Sequence, residues 1–239
     1  MKATNLFLAV GVLITQLALV SPAQATFIPV SIGGVINSDL RSSTYTNGIN
    51  YPIAPTTLTV GGVPFGLVPL GATPNSLGIV QDGGTDVFNI PTSVFGATTV
   101  YTLINSGFGA SGANIATVQF IGAGGAFASF DLIEGLNIRD HFNGFFNNIV
   151  TDPTIATVNF GGNVRFDRQS FVLPSSFASD TLTQITLIGH GGIPEGLAFL
   201  AAATVATPTT APPTVPEPAT LALVGVGFAG LGLMRRRKI

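Results

Sequence analysis

Between Thr26 and Val215 apolar residues recur at every second position, and no stretch keeps the 3.6-residue spacing of an amphipathic helix. That period confines the body to strands. Ile115-Ala116-Thr117-Val118-Gln119-Phe120 puts Ala116, Val118 and Phe120 on one face and Thr117 and Gln119 on the other. Ile155-Ala156-Thr157-Val158-Asn159-Phe160 repeats the pattern forty residues later, which two strands with the same facing needs explain more simply than a repeat array. Further strands are expected over Phe27–Ile36, Thr57–Val60, Asp86–Ile90, Thr98–Ile104, Gly125–Leu132, Asn163–Val172, Leu182–Ile188 and Leu197–Val205. Turn formers punctuate them at Asn47-Gly48, Asp82-Gly83-Gly84, Ser106-Gly107 and Gly161-Gly162. Short, closely spaced strands of this kind predict an all-β fold, an antiparallel, jelly-roll-like β-sandwich ahead of a barrel or solenoid.

The two ends read differently. Lys2 precedes an apolar run over Leu6–Val20, and Ala23-Gln24-Ala25 offers small residues at the first and third positions of a signal-peptidase site. A removable signal peptide over residues 1–25 is expected, since the run is short for a membrane span of about 20 residues. The expected sandwich domain then covers residues 26–205. Residues 206–215 form a Thr/Pro-rich spacer with no core-forming pattern. Pro216-Glu217-Pro218 follows, then an apolar stretch over Leu221–Met234, then Arg235-Arg236-Arg237-Lys238 ahead of Ile239. A helix over Ala219–Met234 measures about 24 Å at 1.5 Å per residue. Against a hydrocarbon core of about 30 Å it spans only with local thinning and snorkelling of the arginines. Four consecutive cations hold that end in the cytoplasm and leave the body outside.

This tail, residues 216–239, resembles the PEP-CTERM sorting signal of Gram-negative bacteria: Pro216, Glu217 and Pro218 as the motif, a glycine-rich apolar helix, and the cluster begun by Arg235, Arg236 and Arg237. The resemblance implies transient membrane insertion, recognition by an exosortase and transfer from the inner membrane to the cell surface or extracellular matrix. Signal peptidase and exosortase are the implied export partners, and exopolysaccharide or biofilm matrix the implied surroundings. A permanent single-span anchor has the same orientation, and hydropathy does not separate the two. Gly225-Val226-Gly227-Phe228-Ala229-Gly230 satisfies the G-x-G-x-x-G spacing of a dinucleotide site, but no strand, following helix or later acidic residue accompanies it. Those glycines suit close helix packing in a membrane instead.

Composition narrows function further. The chain has no cysteine, which removes thiolate catalysis, disulfides and thiolate metal sites. Both lysines lie in the two ends, and the body keeps Arg41, Arg139, Arg165 and Arg168 against ten carboxylates, a net charge of −6. An acidic, lysine-free surface repels phosphate backbones, so nucleic acid is not an expected partner. Solubility rests on Thr, Ser, Asn and Gly, which suit hydroxyl-rich neighbours such as extracellular polysaccharide.

Parts of the body resemble galactose-binding-like jelly-roll modules: Gly62-Val63-Pro64-Phe65, Thr99–Leu103, Asn137-Ile138-Arg139-Asp140, Phe166-Asp167-Arg168, Leu173-Pro174 and Leu182–Leu187. The resemblance spans about 140 residues in short pieces, and fold does not deliver function.

Two polar clusters stand out. Arg139, Asp140, His141 and Asn143 combine a fork donor, a carboxylate, an imidazole and an amide beside Phe142, Phe145 and Phe146, a set able to bind a sugar. The plainer reading is a loop with a structural Arg139–Asp140 ion pair, and the absence of tryptophan favours it. Arg165 and Asp167 share a strand face while Arg168 points away, so a cross-strand meeting of Asp140 with Arg165 would merge both clusters. No metal site is expected: His141 and His190 lie far apart, and Asp82-Gly83-Gly84-Thr85-Asp86 lacks the further ligands of a Ca²⁺ loop, although jelly-roll modules often carry a structural Ca²⁺. No cofactor is expected. No G-x-S-x-G or H-E-x-x-H motif occurs, and glycosidic hydrolysis would need two carboxylates from among Asp131, Glu134 and Asp140 across a cleft. The expectation is therefore a non-enzymatic, exported surface or matrix protein with a structural or adhesive role. A lectin-like module with a pocket at Arg139–Asn143 comes second and a degenerate glycoside-active enzyme third.

Overall fold

The computed structural model describes residues 25–39, 51, 56–70, 73–81, 86–142, 149–161, 164–190, 192 and 196–209. The expected signal peptide through Gln24, the spacer from residue 210 onward and the whole sorting segment, Pro216, Glu217, Pro218 and Arg235–Arg237 included, lie outside the described residues.

The chain is all-β. Its strands are β1 (Thr26–Val30), β2 (Ser38–Asp39), β3 (Thr56–Val60), β4 (Val63–Leu67), β5 (Pro69–Leu70), β6 (Thr73–Gln81) and β7 (Val87–Phe95). They continue as β8 (Thr99–Gly107), β9 (Asn114–Gly122), β10 (Phe127–Ile133), β11 (Ala156–Asn159), β12 (Arg165–Val172), β13 (Thr181–Gly189) and β14 (Leu197–Thr207). A 3₁₀ turn over Ser175–Ser179 links β12 to β13.

Two antiparallel sheets face each other. One runs β11-β12-β8-β14-β6-β2, with β1 taking the remaining edge of β14; the other runs β10-β9-β13-β7. The chain changes sheet at β6→β7, β7→β8, β8→β9, β12→β13 and β13→β14. The opposed orders β12-β8-β14-β6 and β10-β9-β13-β7 are those of a jelly roll.

Alternation explains the core between them. Val100 and Ile104 of β8, Phe171 of β12 and Ala198, Leu200, Ala203 and Val205 of β14 meet Ile90 and Val94 of β7, Ala116, Val118 and Phe120 of β9, and Leu182, Ile185 and Leu187 of β13. Phe120 packs its ring 5.5 Å from Phe171 and 5.8 Å from Phe130. The first sheet is covered on its other face as well: the β3–β4 hairpin lays Val60, Val63, Phe65 and Leu67 over Leu103, Phe166, Phe199 and Ala202. A strand buried on both faces cannot alternate, which is why β14 reads as a continuous apolar run. A bulge between Leu200 and Ala202 shifts its register and admits the extra Ala201.

Several expectations shift in detail. The two similar segments do become strands with matching faces, but β9 is central and β11 is an edge strand whose Ala156 and Val158 are only partly buried. β4 and β6 were not anticipated. Pro64 argues against a strand, and it is tolerated because β4 belongs to a two-stranded hairpin in which a lost donor costs little. The first strand stops at Val30, short of Ile36, where a turn begins.

Candidate functional site

The jelly roll opens at one end, where β8 and β12 part and a connecting segment slots between them. Ser106 N–H donates to Arg139 O (2.9 Å) and His141 N–H to Ser106 O (2.9 Å), while Arg165 N–H donates to His141 O (3.1 Å). Residues 139–141 thus act as an inserted rung that carries Arg139, Asp140 and His141 into contact with β12. The two expected clusters are one.

Asp167 is its hub. Arg139 Nε donates to Asp167 Oδ2 at 2.7 Å and Nη2 to Oδ1 at 2.9 Å, a two-point ion pair. Thr157 Oγ1 adds a third donor at 2.6 Å and Asn105 Nδ2 a fourth at 3.0 Å. Asn105 Oδ1 in turn accepts the Asp167 N–H (2.9 Å), so its side chain replaces the rung that the parted strands lack. Arg165 does not pair with Asp167 as the shared-face argument suggested; its Nη2 and Nε donate to the backbone oxygen of Asp140 at 2.8 and 3.2 Å. Arg168 points the other way, as expected, with its guanidinium 5.2 Å from the centre of the Tyr101 ring.

The Asp140 carboxylate grips the backbone, accepting from Phe142 N–H (2.6 Å) and Phe108 N–H (2.8 Å). Phe108 is the one described non-glycine residue at positive φ, 64°, and this bond helps hold it there. Burial outweighs those two donors and raises the Asp140 pKa to about 6. His141 lies between aromatic rings, with Tyr51 Oη 2.8 Å from its Nδ1 and Phe199 edge-on at 5.1 Å. Burial, with Arg165 adding to it, lowers its pKa to about 4, so the imidazole is neutral. Asn143 lies outside the described residues.

Glu134 was noticed in the sequence only as one of three loose carboxylates. It is 1% exposed, neither carboxyl oxygen completes a hydrogen bond, and burial raises its pKa to about 8. The Ser106 hydroxyl and the Asp140 N–H pull that value part of the way down without completing bonds, and nearby Asp140 pushes it up. Sequence reasoning missed Asn105, Tyr51 and Thr157, whose chemistry is unremarkable until the fold brings them to Asp167 and His141.

The cluster is therefore nearly sealed: Asp140, His141, Arg165 and Asp167 are 2%, 2%, 5% and 1% exposed, and these side chains bond chiefly to one another and to the backbone. Chemically it is a cross-link that ties the 139–141 segment to β8, β11 and β12. Among the described residues no group of three or more His, Asp or Glu is placed to hold a metal. The turn from Asp82 to Thr85 lies outside the described residues.

Fold and cluster together define a class: a cysteine-free, antiparallel jelly-roll body pinned by an internal polar network. Residues 214–238 match the family model of the PEP-CTERM protein-sorting motif. That motif indicates an exosortase-sorted surface protein and is expected of residues 216–239 from their own pattern. A comparison with curated protein sequences finds no significant match.

Proposed function

We propose that this exosortase-sorted protein is a non-catalytic component of the extracellular surface, with a structural or adhesive role in contact with exopolysaccharide. The sorting motif at residues 214–238 carries the reading. The body supports it in three ways. Its described first strand begins at Thr26, directly after the expected cleavage site, and pairs with Thr207, the last strand residue before the spacer. A domain whose ends meet at one point hangs from a single tether. Its surface relies on hydroxyl and amide groups and has no lysine. The groups best suited to acid–base work, Asp140 and His141, are buried and bonded inside the protein, which favours association over turnover.

The same burial weighs against a lectin pocket at Arg139–Asn143, because the guanidinium and carboxylate groups there already have partners. The test is co-sedimentation of the released protein with extracellular matrix, before and after enzymatic removal of the polysaccharide. Release on digestion is expected; a protein that stays on washed cells once the polysaccharide is gone would refute a polysaccharide partner.

A further inference from the structure

We propose that the cleft on the flank of the sandwich, between β10 and β12, binds a neutral sugar unit; the assignment rests on the reading of the protein as polysaccharide-facing. The cleft measures about 300 Å³, at the lower end of small-ligand sites and suited to one sugar ring. Phe130 and Phe171 form its apolar wall, their rings 5.3 Å apart, and Phe130 is only partly buried. Asp131, Asp152, Asn137 and Gln169 supply the polar lining.

Those polar groups offer acceptors. Asp131 Oδ1 takes the Thr117 hydroxyl at 2.8 Å and Asp152 Oδ1 takes Thr154 N–H and Oγ1, leaving the second oxygen of each carboxylate without a partner among the described residues. Gln169 is 3% exposed; its amide nitrogen donates to Asn137 O at 2.6 Å, and its carbonyl oxygen has no protein partner among the described residues. A nearly buried carbonyl with nothing to accept is costly unless it faces water or a ligand. Asn137 fixes the geometry by accepting Ile133 N–H and donating to Asp131 O, both at 2.8 Å.

A site with two carboxylates, a spare amide carbonyl, an aromatic wall and no cation repels anions and demands O–H donors. A neutral pyranose meets that demand, with vicinal hydroxyls to the carboxylates and a C–H face to Phe130. A bare divalent cation would use the oxygens and leave the aromatic wall without a role.

The test is hydrogen–deuterium exchange of the full chain in detergent, with methyl glycosides of glucose, galactose, mannose and N-acetylglucosamine and, separately, calcium chloride. One glycoside is expected to slow exchange in peptides covering 127–139 and 149–172, by about twofold when its concentration equals Kd. Asp131→Ala/Asp152→Ala should abolish that protection. The map on the native chain does not depend on the variant folding. Protection by calcium alone, protection confined to other peptides, or protection that survives in the double variant overturns the cleft assignment. Should the double variant still co-sediment with matrix polysaccharide as the native protein does, the cleft fails and the surface role stands. If the native protein neither co-sediments nor is protected, both fail.

Discussion

Arg139 and Asp167, 28 residues apart in the chain, meet in a two-point ion pair at 2.7 and 2.9 Å with the carboxylate 1% exposed. Removing the arginine strands a buried charge that Thr157 and Asn105 stabilise only in part. Arg139→Ala is expected to cost about 3 kcal/mol, the range for breaking one side of a buried pair. Arg168→Ala, which loses a cation–π contact on the other face, should cost about 1 kcal/mol or less. Urea unfolding of the two variants side by side checks the ordering.

Three buried titrating groups give the stability a pH profile. Burial raises Glu134 from 4.5 to about 8 and Asp140 from 3.8 to about 6, so the folded protein keeps protons that the unfolded chain releases. Their contributions are full below the unfolded values and are lost as pH rises through the folded ones. His141 has the opposite sign: its pKa falls from 6.5 to about 4, so stability is lost as pH drops across that interval. Between pH 6.5 and 8 Glu134 alone of the three is titrating. Thermal unfolding should show declining stability over that interval, and Glu134→Gln should flatten it.

Gly109 has no room for a side chain. A Cβ there would lie 2.1 Å from Glu134 Cδ and 2.4 Å from its Oε2, so the carboxyl group rests on the bare backbone. Gly109→Ala is expected to destabilise by about 2 kcal/mol, as overpacking does. Combining it with Glu134→Ala should recover part of the loss, read as a coupling energy in a double-mutant cycle.

Much of the fold was legible because half-buried strands advertise themselves by alternation: Ala116, Val118 and Phe120 face the core as the period requires. β4 escaped because Pro64 argues against a strand, and β6 because Thr73–Gln81 mixes polar residues with Pro74 and Gly78. The jelly-roll order itself depends on long-range pairings such as β8 with β14, which no local pattern encodes. Arg139, Asp140, Arg165 and Asp167 stood out as rare charges in an apolar chain. Who bonds to whom did not, because the inserted rung at 139–141 and the partners Asn105, Thr157 and Tyr51 come from separate elements. The flank cleft was invisible for the same reason, its walls being drawn from β10, β12 and the connection between β10 and β11.

Export makes a prediction of its own. Glu217→Ala, or loss of Arg235–Lys238, should leave the protein retained in the membrane or degraded rather than delivered, because the motif at 214–238 would no longer be recognised or held in orientation. Immunoblotting of membrane and extracellular fractions reads the outcome.

Mass spectrometry of the C-terminus of the surface form tests the central claim most directly. Processing by an exosortase predicts a chain that lacks the apolar stretch Leu221–Met234 and the cluster Arg235–Lys238. A surface form that still carries Arg235–Ile239 would contradict sorting and leave a permanent anchor in its place.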